Sequence, residues 1–485
     1  MAIVNESDVV VVGAGIGGAL AAFQLASKGL RVAVVDKGRW LNSEQTQTVY
    51  ETESFKNRDE VPCESIEIRN GRKKTVNQLP SVVGGLARFY AAVSLRMREQ
   101  EFEKWPFDYD DIEPYYARGE ELLGVSGTTG ADPLEPPRTA PYPNALPEMS
   151  ELSRKLSQGA VELGLNPFQH PFAIRFEDGC KRCNYCNQVP CPYSYKWSPD
   201  YFLRSHEDLP IQVFDTTRVD RLHWNVTGSD RRIESVEGRD AEGKLVSFRA
   251  DKYILAGGAI FTPSLMIQSG LGEVNPLIGT HLMTHCLGLV LGIFPFKISA
   301  EDDFHKWWSV SDFYFDPEGN VRGLIQQDHL TTRRSIFSRV PRIFHPLAEK
   351  FYYNTCQLLV MAEDEGRPEN RIEVTSSGFG KKLTVQQTFS QRDNEKRAFL
   401  ESRAKEIMKK AGARFTVGLR GQSVYHACGT CRMGEVPSES VTDRQGKVWG
   451  MENLYVADGS LMTTSSGVNP SLTIAANALR VADLI

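Results

Sequence analysis

The 485-residue sequence has no apolar run approaching the roughly 18 residues that a membrane-spanning helix requires, so no membrane insertion is expected. Its N-terminus, MAIVNESD, lacks the basic stretch followed by an apolar one that marks a secretory signal. It has little net charge. With 56 Lys and Arg against 61 Asp and Glu, the balance of −5 gives no footprint for nucleic acid. No repeat period is visible. Nine cysteines is an odd number, and without an export signal a disulfide framework is not expected. These absences point to a globular protein of the reducing cytoplasm, long enough for two or more domains. Histidine is scarce as well: His426, in YHACGTCRMG, is the only one in the last 140 residues.

What is present begins at the N-terminus. DVVVVGAGIGGALAAFQLASKGLRVAVVDKG reads as strand, turn, helix, strand. Gly13, Gly15 and Gly18 stand in G-x-G-x-x-G spacing. The first permits the tight turn, the second lets the backbone approach a pyrophosphate, and the third lets helix and strand pack closely. The helix start then offers free N–H groups to phosphate. Asp36 closes the second strand 18 residues after Gly18, where a carboxylate suits the ribose of an adenosine. The glycine pattern alone does not separate FAD from a nicotinamide.

The later segments do. After Asp36 about a hundred residues read as irregular, unlike the regular strand–helix units of a nicotinamide domain. IQVFDTTRVDRLHW and RRIESVEGRDAEGKLVSFRADKYILAGGA read as antiparallel hairpins with turns at GSD and AEG. YILAGGAIFTPSLMIQSGLG reads as strand, glycine turn and helix, with Thr262 at the N-cap, Pro263 first in the helix and Gly270 at its end. NLYVADGS is a strand closing on Asp458 and Gly459. NPSLTIAANALRVADLI is a helix with Asn469 at its cap, Pro470 in the first position, and Leu472, Ala475, Ala476, Leu479 and Ala482 on one face. A nucleotide domain assembled from both ends and the middle of a chain suits a long dinucleotide such as FAD.

Residue chemistry alone leaves His426 three readings: a satisfied core histidine, a metal ligand with Cys428 and Cys431, or a proton acceptor. Cys180, Cys183, Cys186 and Cys191 form a C-x2-C-x2-C-x4-C-P strip, one residue longer than ferredoxin spacing. It reads as structural thiols, with room for one disulfide among them, and with an iron–sulfur cluster or zinc as alternatives.

Several stretches together resemble the glucose–methanol–choline (GMC) oxidoreductase family. They are the glycine turn, VVGGLARFYAAVSLRM, WPFDYDDIEPYYARGEELLGVSG, LAGGAIFTPSLMIQSGLG, IGTHLMTH, HACGTCRMG and NLYVADGSLMTTSSGVNPSLTIAANALRVAD. The resemblance implies an α/β plus α+β architecture, in which a Rossmann-like FAD-binding domain is joined to a substrate domain. The first would take residues 1–40, 78–135, 205–295 and 425–485. The second, built on an antiparallel sheet covered by helices, would take 41–77, 136–204 and 296–424, with the cysteine strip 180–191.

The resemblance further implies hydride transfer from an alcohol carbon to the flavin, with His426 as base and Asn469 holding the substrate oxygen; His285, in THLMTH, is a rival base by residue type that the resemblance makes structural. FAD would lie against Gly13, Gly15, Gly18, Asp36, Gly84, Gly85, Val219, Asp458, Gly459 and Pro470. After Gly84 the chain departs from the family, with GGLARFYAAVS where a Ser- and Asn-bearing stretch is common. In some relatives a similar cysteine strip holds an iron–sulfur cluster, which would add an electron-transfer partner. Oxygen and other electron acceptors both remain open. Aromatic residues beside Asp, Gln and His between 300 and 424 suit a carbohydrate-like or polyhydroxylated alcohol, or equally an ordinary sheet core. Alternatives are a hydrophobic alcohol or sterol, an iron–sulfur-linked dehydrogenase subunit, and a non-redox FAD lyase.

Overall fold

The computed structural model describes the whole chain except residues 1–2, 53–60, 184, 187–188, 228–229, 301–303, 305, 329–336, 338–339, 378–379 and 421–422. VVVV and VAVV are apolar at every position and, Ala33 apart, β-branched. Such strands are apolar on both faces and belong inside a sheet covered on both sides. They form β2 (Val9–Val12) and β3 (Val32–Val35). The sheet they centre runs β19 (Leu454–Val456), β11 (Lys252–Leu255), β2, β3, β7 (Ile211–Phe214), with every pairing parallel. The helix Ile16–Ser27 follows β2, and the last helix, Ser471–Leu484, packs against it. The predicted stripe of Leu472, Ala475, Ala476, Leu479 and Ala482 is buried there.

Two stretches expected in hairpins, Ile211–Phe214 and Lys252–Leu255, are therefore parallel strands of this sheet. Local pattern marks a strand but not its partner, and Lys252 pairs with Val9 far away in sequence. β8 (Arg218–Thr227), β9 (Asp230–Arg239) and β10 (Leu245–Arg249) do pair antiparallel, and β1 (Ile3–Glu6) joins β10 in parallel. Of the expected GSD turn, residues 228–229 lie outside the described residues.

The segment after Asp36 is more ordered than expected. β4 (Cys63–Asn70) and β5 (Lys73–Pro80) form a hairpin, and Tyr109–Leu123 is a helix. β4 buries only Ile66 and Ile68, so its polarity hid it. The hairpin extends β16 (Arg371–Ser377) and β17 (Gly380–Gln386) into a four-stranded sheet.

A six-stranded antiparallel sheet runs β18 (Phe415–Arg420), β12 (Cys286–Ile293), β15 (Thr355–Ala362), β14 (Gly323–Asp328), β13 (Trp308–Val310), β6 (Pro167–Gln169). Gly288 and Gly292 bring β12 close under the helix Gln391–Lys410, where added Cβ atoms would meet Glu401 and Met408. Residues alternate across a strand. The opposite face therefore carries Leu287, Leu289 and Leu291, and in register with them Leu359, Gln326, Gln357 and Asp328. HPLAEKFYY is a helix, His345–Tyr353, rather than a pocket strand. Trp307 lies in an aromatic core with Phe172, Phe176 and Phe304. Among the described residues no helix is long and apolar enough to cross a membrane.

Candidate active site

The C-terminal end of the parallel sheet carries the glycine turn. Gly13 takes φ +108°, and a Cβ at Gly18 would collide with the Gly13 carbonyl. At Gly15 an added Cβ would meet nothing within 4 Å. No side chain caps the first helix, so its leading N–H groups face that open space. Asp36 ends β3, and its carboxylate accepts from Ala14 N and Gly38 N, each at 2.6 Å. Burial pushes this carboxyl upward. Thr217 N donates to Asp36 O at 2.8 Å, two residues before Val219, which pairs with Gly238 at the start of β8. Gly84 and Gly85 turn there with φ +94° and +53°, and Val83 N donates to Arg39 O at 3.0 Å. An open glycine cradle, an uncapped helix start and an adjoining carboxylate fit the pyrophosphate and ribose of FAD.

Asp458 turns its carboxylate into the protein. It accepts from Gly258 N (2.8 Å), Thr262 Oγ1 (2.6 Å), Ser460 N (2.8 Å) and Ser460 Oγ (2.5 Å). Its side chain thus ties β19 to the start of the helix Gly258–Gln268. That helix begins earlier than expected, with Gly257 at the cap, so Thr262 and Pro263 lie inside it. Pro263 has no N–H for Ala259 O. Thr430 Oγ1 donates to that carbonyl instead, at 2.7 Å, and so anchors the HACGTC stretch.

A bridge between Met283 and Cys428, antiparallel, sets the register of that stretch. Two residues outward on each side, His285 and His426 come to face each other, with Nδ1 to Nδ1 at 2.9 Å. His285 Nε2 is 2.8 Å from Ser465 O, and a carbonyl only accepts, so this nitrogen carries the proton. The neutral His285 then accepts at Nδ1, and His426 donates from its own Nδ1. The bonding pattern assigns the lone pair of His426 to Nε2, which makes no hydrogen bond among the described residues. Burial pushes His426 down to about 3, with the His285 ring and Lys306 adding to it. Burial likewise pushes His285 down to about 4. His285 holds φ +65°, and the Asp364 carboxylate fixes that strained turn by accepting from Thr284 N and His285 N, each at 2.9 Å.

Cys428 and Cys431 pack into the core, and among the described residues no three His, Cys, Asp or Glu side chains are placed to hold a metal. The metal reading of His426 is therefore not supported by its surroundings.

Asn469 lies at the end of the loop before the last helix. Pro470 occupies the cap position and Ser471 begins the helix, one residue later than expected. The Asn469 side chain does not cap. Its Oδ1 accepts from Gln326 Nε2 at 2.9 Å, which leaves the Nδ2 donors uncommitted among the described residues. Tyr314 Oη and Ser466 Oγ both donate to the buried Glu101, at 2.7 and 3.1 Å, and hold this loop in place. Asp328, two residues along β14, pairs with Lys306 at 2.7 Å and accepts from Gln357 at 3.0 Å. Sequence reading missed Gln326, Lys306 and Asp328. Gln326 and Asp328 had one signal, the run GLIQQD, polar residues in a strand buried throughout; Lys306 lies outside that run.

The four strip cysteines are free and half-buried. Lys196 is buried beside them. Its Nζ donates to Cys186 O (2.8 Å) and Val189 O (3.1 Å) on the strip, and to Arg88 O (2.9 Å) and Tyr90 O (3.0 Å) after the Gly84 turn.

The GMC oxidoreductase pattern matches residues 7–287 in its N-terminal part and 367–478 in its C-terminal part. The chain is 27% identical to 6'''-hydroxyparomomycin C oxidase of Streptomyces lividus, across 99% of this chain and 91% of that protein. It is 24% identical to 2-methyl-1,2-propanediol dehydrogenase of Mycolicibacterium austroafricanum, across 99% and 95%. Pyridoxine 4-oxidase from Mesorbium loti superposes with a TM-score of 0.70 at 18% identity, covering 98% of each chain. The glycine cradle, the paired histidines and the loop carrying Asn469 all fall inside the matched spans, and the chain belongs to the GMC oxidoreductase family, FAD enzymes that oxidise CH–OH donors.

Proposed function

We propose that this enzyme oxidises a polyhydroxylated alcohol at a carbon held between His426 and Asn469. The assigned lone pair on His426 Nε2 carries the reading. That nitrogen takes the hydroxyl proton, while Asn469 Nδ2 donates to the substrate oxygen and steadies it as charge develops. Bound FAD supplies the two-electron acceptor for the hydride. His285 does not touch substrate. It holds the His426 tautomer through Nδ1 and is a positioning residue.

The polar wall of Gln326, Gln357, Asp328 and Lys306 favours several hydroxyls on the substrate. The diol named in one relative supports the same class. A second reading, an alcohol with an apolar tail, is favoured by Leu287, Leu289, Leu291 and Leu359, which are half-buried on the same sheet face. A long-chain-alcohol oxidase of Arabidopsis thaliana, 26% identical over 98% of this chain, belongs with that reading. The nine free thiols fit work in a reducing compartment such as the cytoplasm. Anaerobic mixing with a panel of polyols, sugars and long-chain alcohols decides between the two classes by which of them bleaches the flavin. Admission of air then separates oxygen from another acceptor by the speed of recolouring.

Two further results are expected. The His426 imidazole is held down to about 3, so it is already neutral far below the usual histidine value. A base acts when deprotonated, so the rate of flavin reduction should stay level from pH 8 to about 5, where a histidine near 6.5 would lose activity. An acid limb centred near 6.5 would contradict this environment. Second, His285→Asn keeps a residue tolerant of positive φ but loses the tautomer control. Flavin reduction should slow about 10-fold with FAD content unchanged. An unaltered rate would show that His426 needs no partner.

A further inference from the structure

One polar atom beside Asn469 is left unsatisfied by the protein. Gln326 is fully buried on β14. Its Nε2 is committed to Asn469 Oδ1, and its Oε1 is buried with no hydrogen-bond partner among the described residues. A buried carbonyl oxygen without a donor is unfavourable, and an apolar side chain of similar shape would fill the place without that penalty. The atom is explained when a ligand brings the donor.

The bonding pattern narrows what that ligand is. Gln326 and Asn469 form one amide–amide pair with two free ends. Asn469 Nδ2 donates and Gln326 Oε1 accepts. Two oxygens on adjoining carbons match this couple: the first accepts from Asn469 and gives its proton to His426, while the second donates to Gln326. A lone hydroxyl satisfies only the first end. Farther along the same face, Lys306, Asp328 and Gln357 continue the polar wall.

We propose that Gln326 forms a second substrate subsite, which takes through Oε1 the hydroxyl on the carbon next to the one oxidised. The proposal rests on His426 and Asn469 marking the reacting carbon. Its ligand class is the vicinal diol, within sugars, polyols or simple glycols alike.

The test compares matched pairs, each a vicinal diol and the same alcohol lacking the second hydroxyl, such as 1,2-butanediol with 1-butanol and a sugar alcohol with its 2-deoxy form. The holoenzyme and its Gln326→Leu variant are measured by kcat/KM for flavin reduction. The wild type should favour the diol at least about 10-fold. In Gln326→Leu that ratio should fall to within about 2-fold. The variant also loosens Asn469, which slows both members alike, so the ratio isolates the subsite from general damage. A wild-type ratio near one, or a preference that survives in Gln326→Leu, overturns the proposal and assigns Oε1 to an ordered water. Flavin difference spectra give an independent readout. If no alcohol bleaches the flavin yet diols still shift its spectrum in a Gln326-dependent way, the oxidation reading fails and the subsite stands. If neither occurs, both fail.

Discussion

Replacing His426 with Ala is expected to slow anaerobic reduction of bound FAD by at least about 10²-fold, with the cofactor still retained. That corresponds to about 2.7 kcal/mol of activation barrier. Removing a hydride from a carbinol carbon leaves a protonated carbonyl unless the hydroxyl proton departs as well. In the proposed reaction His426 Nε2 takes that proton, and the bonding of its other nitrogen leaves the Nε2 lone pair available. FAD retention is expected because the cradle of Gly13 to Gly18 and Asp36 lies on other elements. Stopped-flow bleaching at 450 nm measures the rate, and the flavin-to-protein absorbance ratio measures retention. A variant that bleaches at the wild-type rate would remove His426 from the proton transfer.

Gly15→Val should separate folding from cofactor binding. The backbone at Gly15 has φ −72°, which any L-residue adopts, and the space at its Cβ is open. The apoprotein should therefore melt within about 2 °C of wild type, as expected for a substitution that disturbs no packing. The added side chain would fill the approach of the pyrophosphate to the helix start, and FAD affinity should fall at least about 10²-fold, roughly 2.7 kcal/mol. Gly18→Ala makes the contrast. Its Cβ would strike the Gly13 carbonyl, so both melting temperature and FAD content should drop. Titration of apoprotein with FAD, followed by flavin fluorescence, reads the first effect and differential scanning fluorimetry the second. Full FAD occupancy in Gly15→Val would show that the nucleotide lies elsewhere.

Much of this was legible in the chain because it is local. The glycine turn, the two valine strands and Asp36 fall within 28 residues and need no distant partner to be read. The last helix showed its buried stripe in its own spacing. What escaped was set by long-range pairing. Ile211–Phe214 and Lys252–Leu255 looked like hairpin strands because their parallel partners lie in other parts of the chain. The helix Gly258–Gln268 began early because Asp458, 200 residues away, bonds Gly258 N. Gln326 was invisible as a site residue because only the fold brings it to Asn469, 143 positions later. His285 was read as structural; the bridge at Met283 places its Nδ1 2.9 Å from that of His426, a contact no local pattern shows.

The parallel sheet has a consequence for how each molecule comes into being. β2 (Val9–Val12) is synthesised long before β19 and the last helix, which close the same cradle and come only from residue 454 onward. At the usual ribosomal pace the early strands wait roughly 25 to 100 seconds for their final neighbours. Throughout that interval the nascent polypeptide carries the glycine turn but no completed cleft, and its early apolar strands are exposed to aggregation until the late elements cover them.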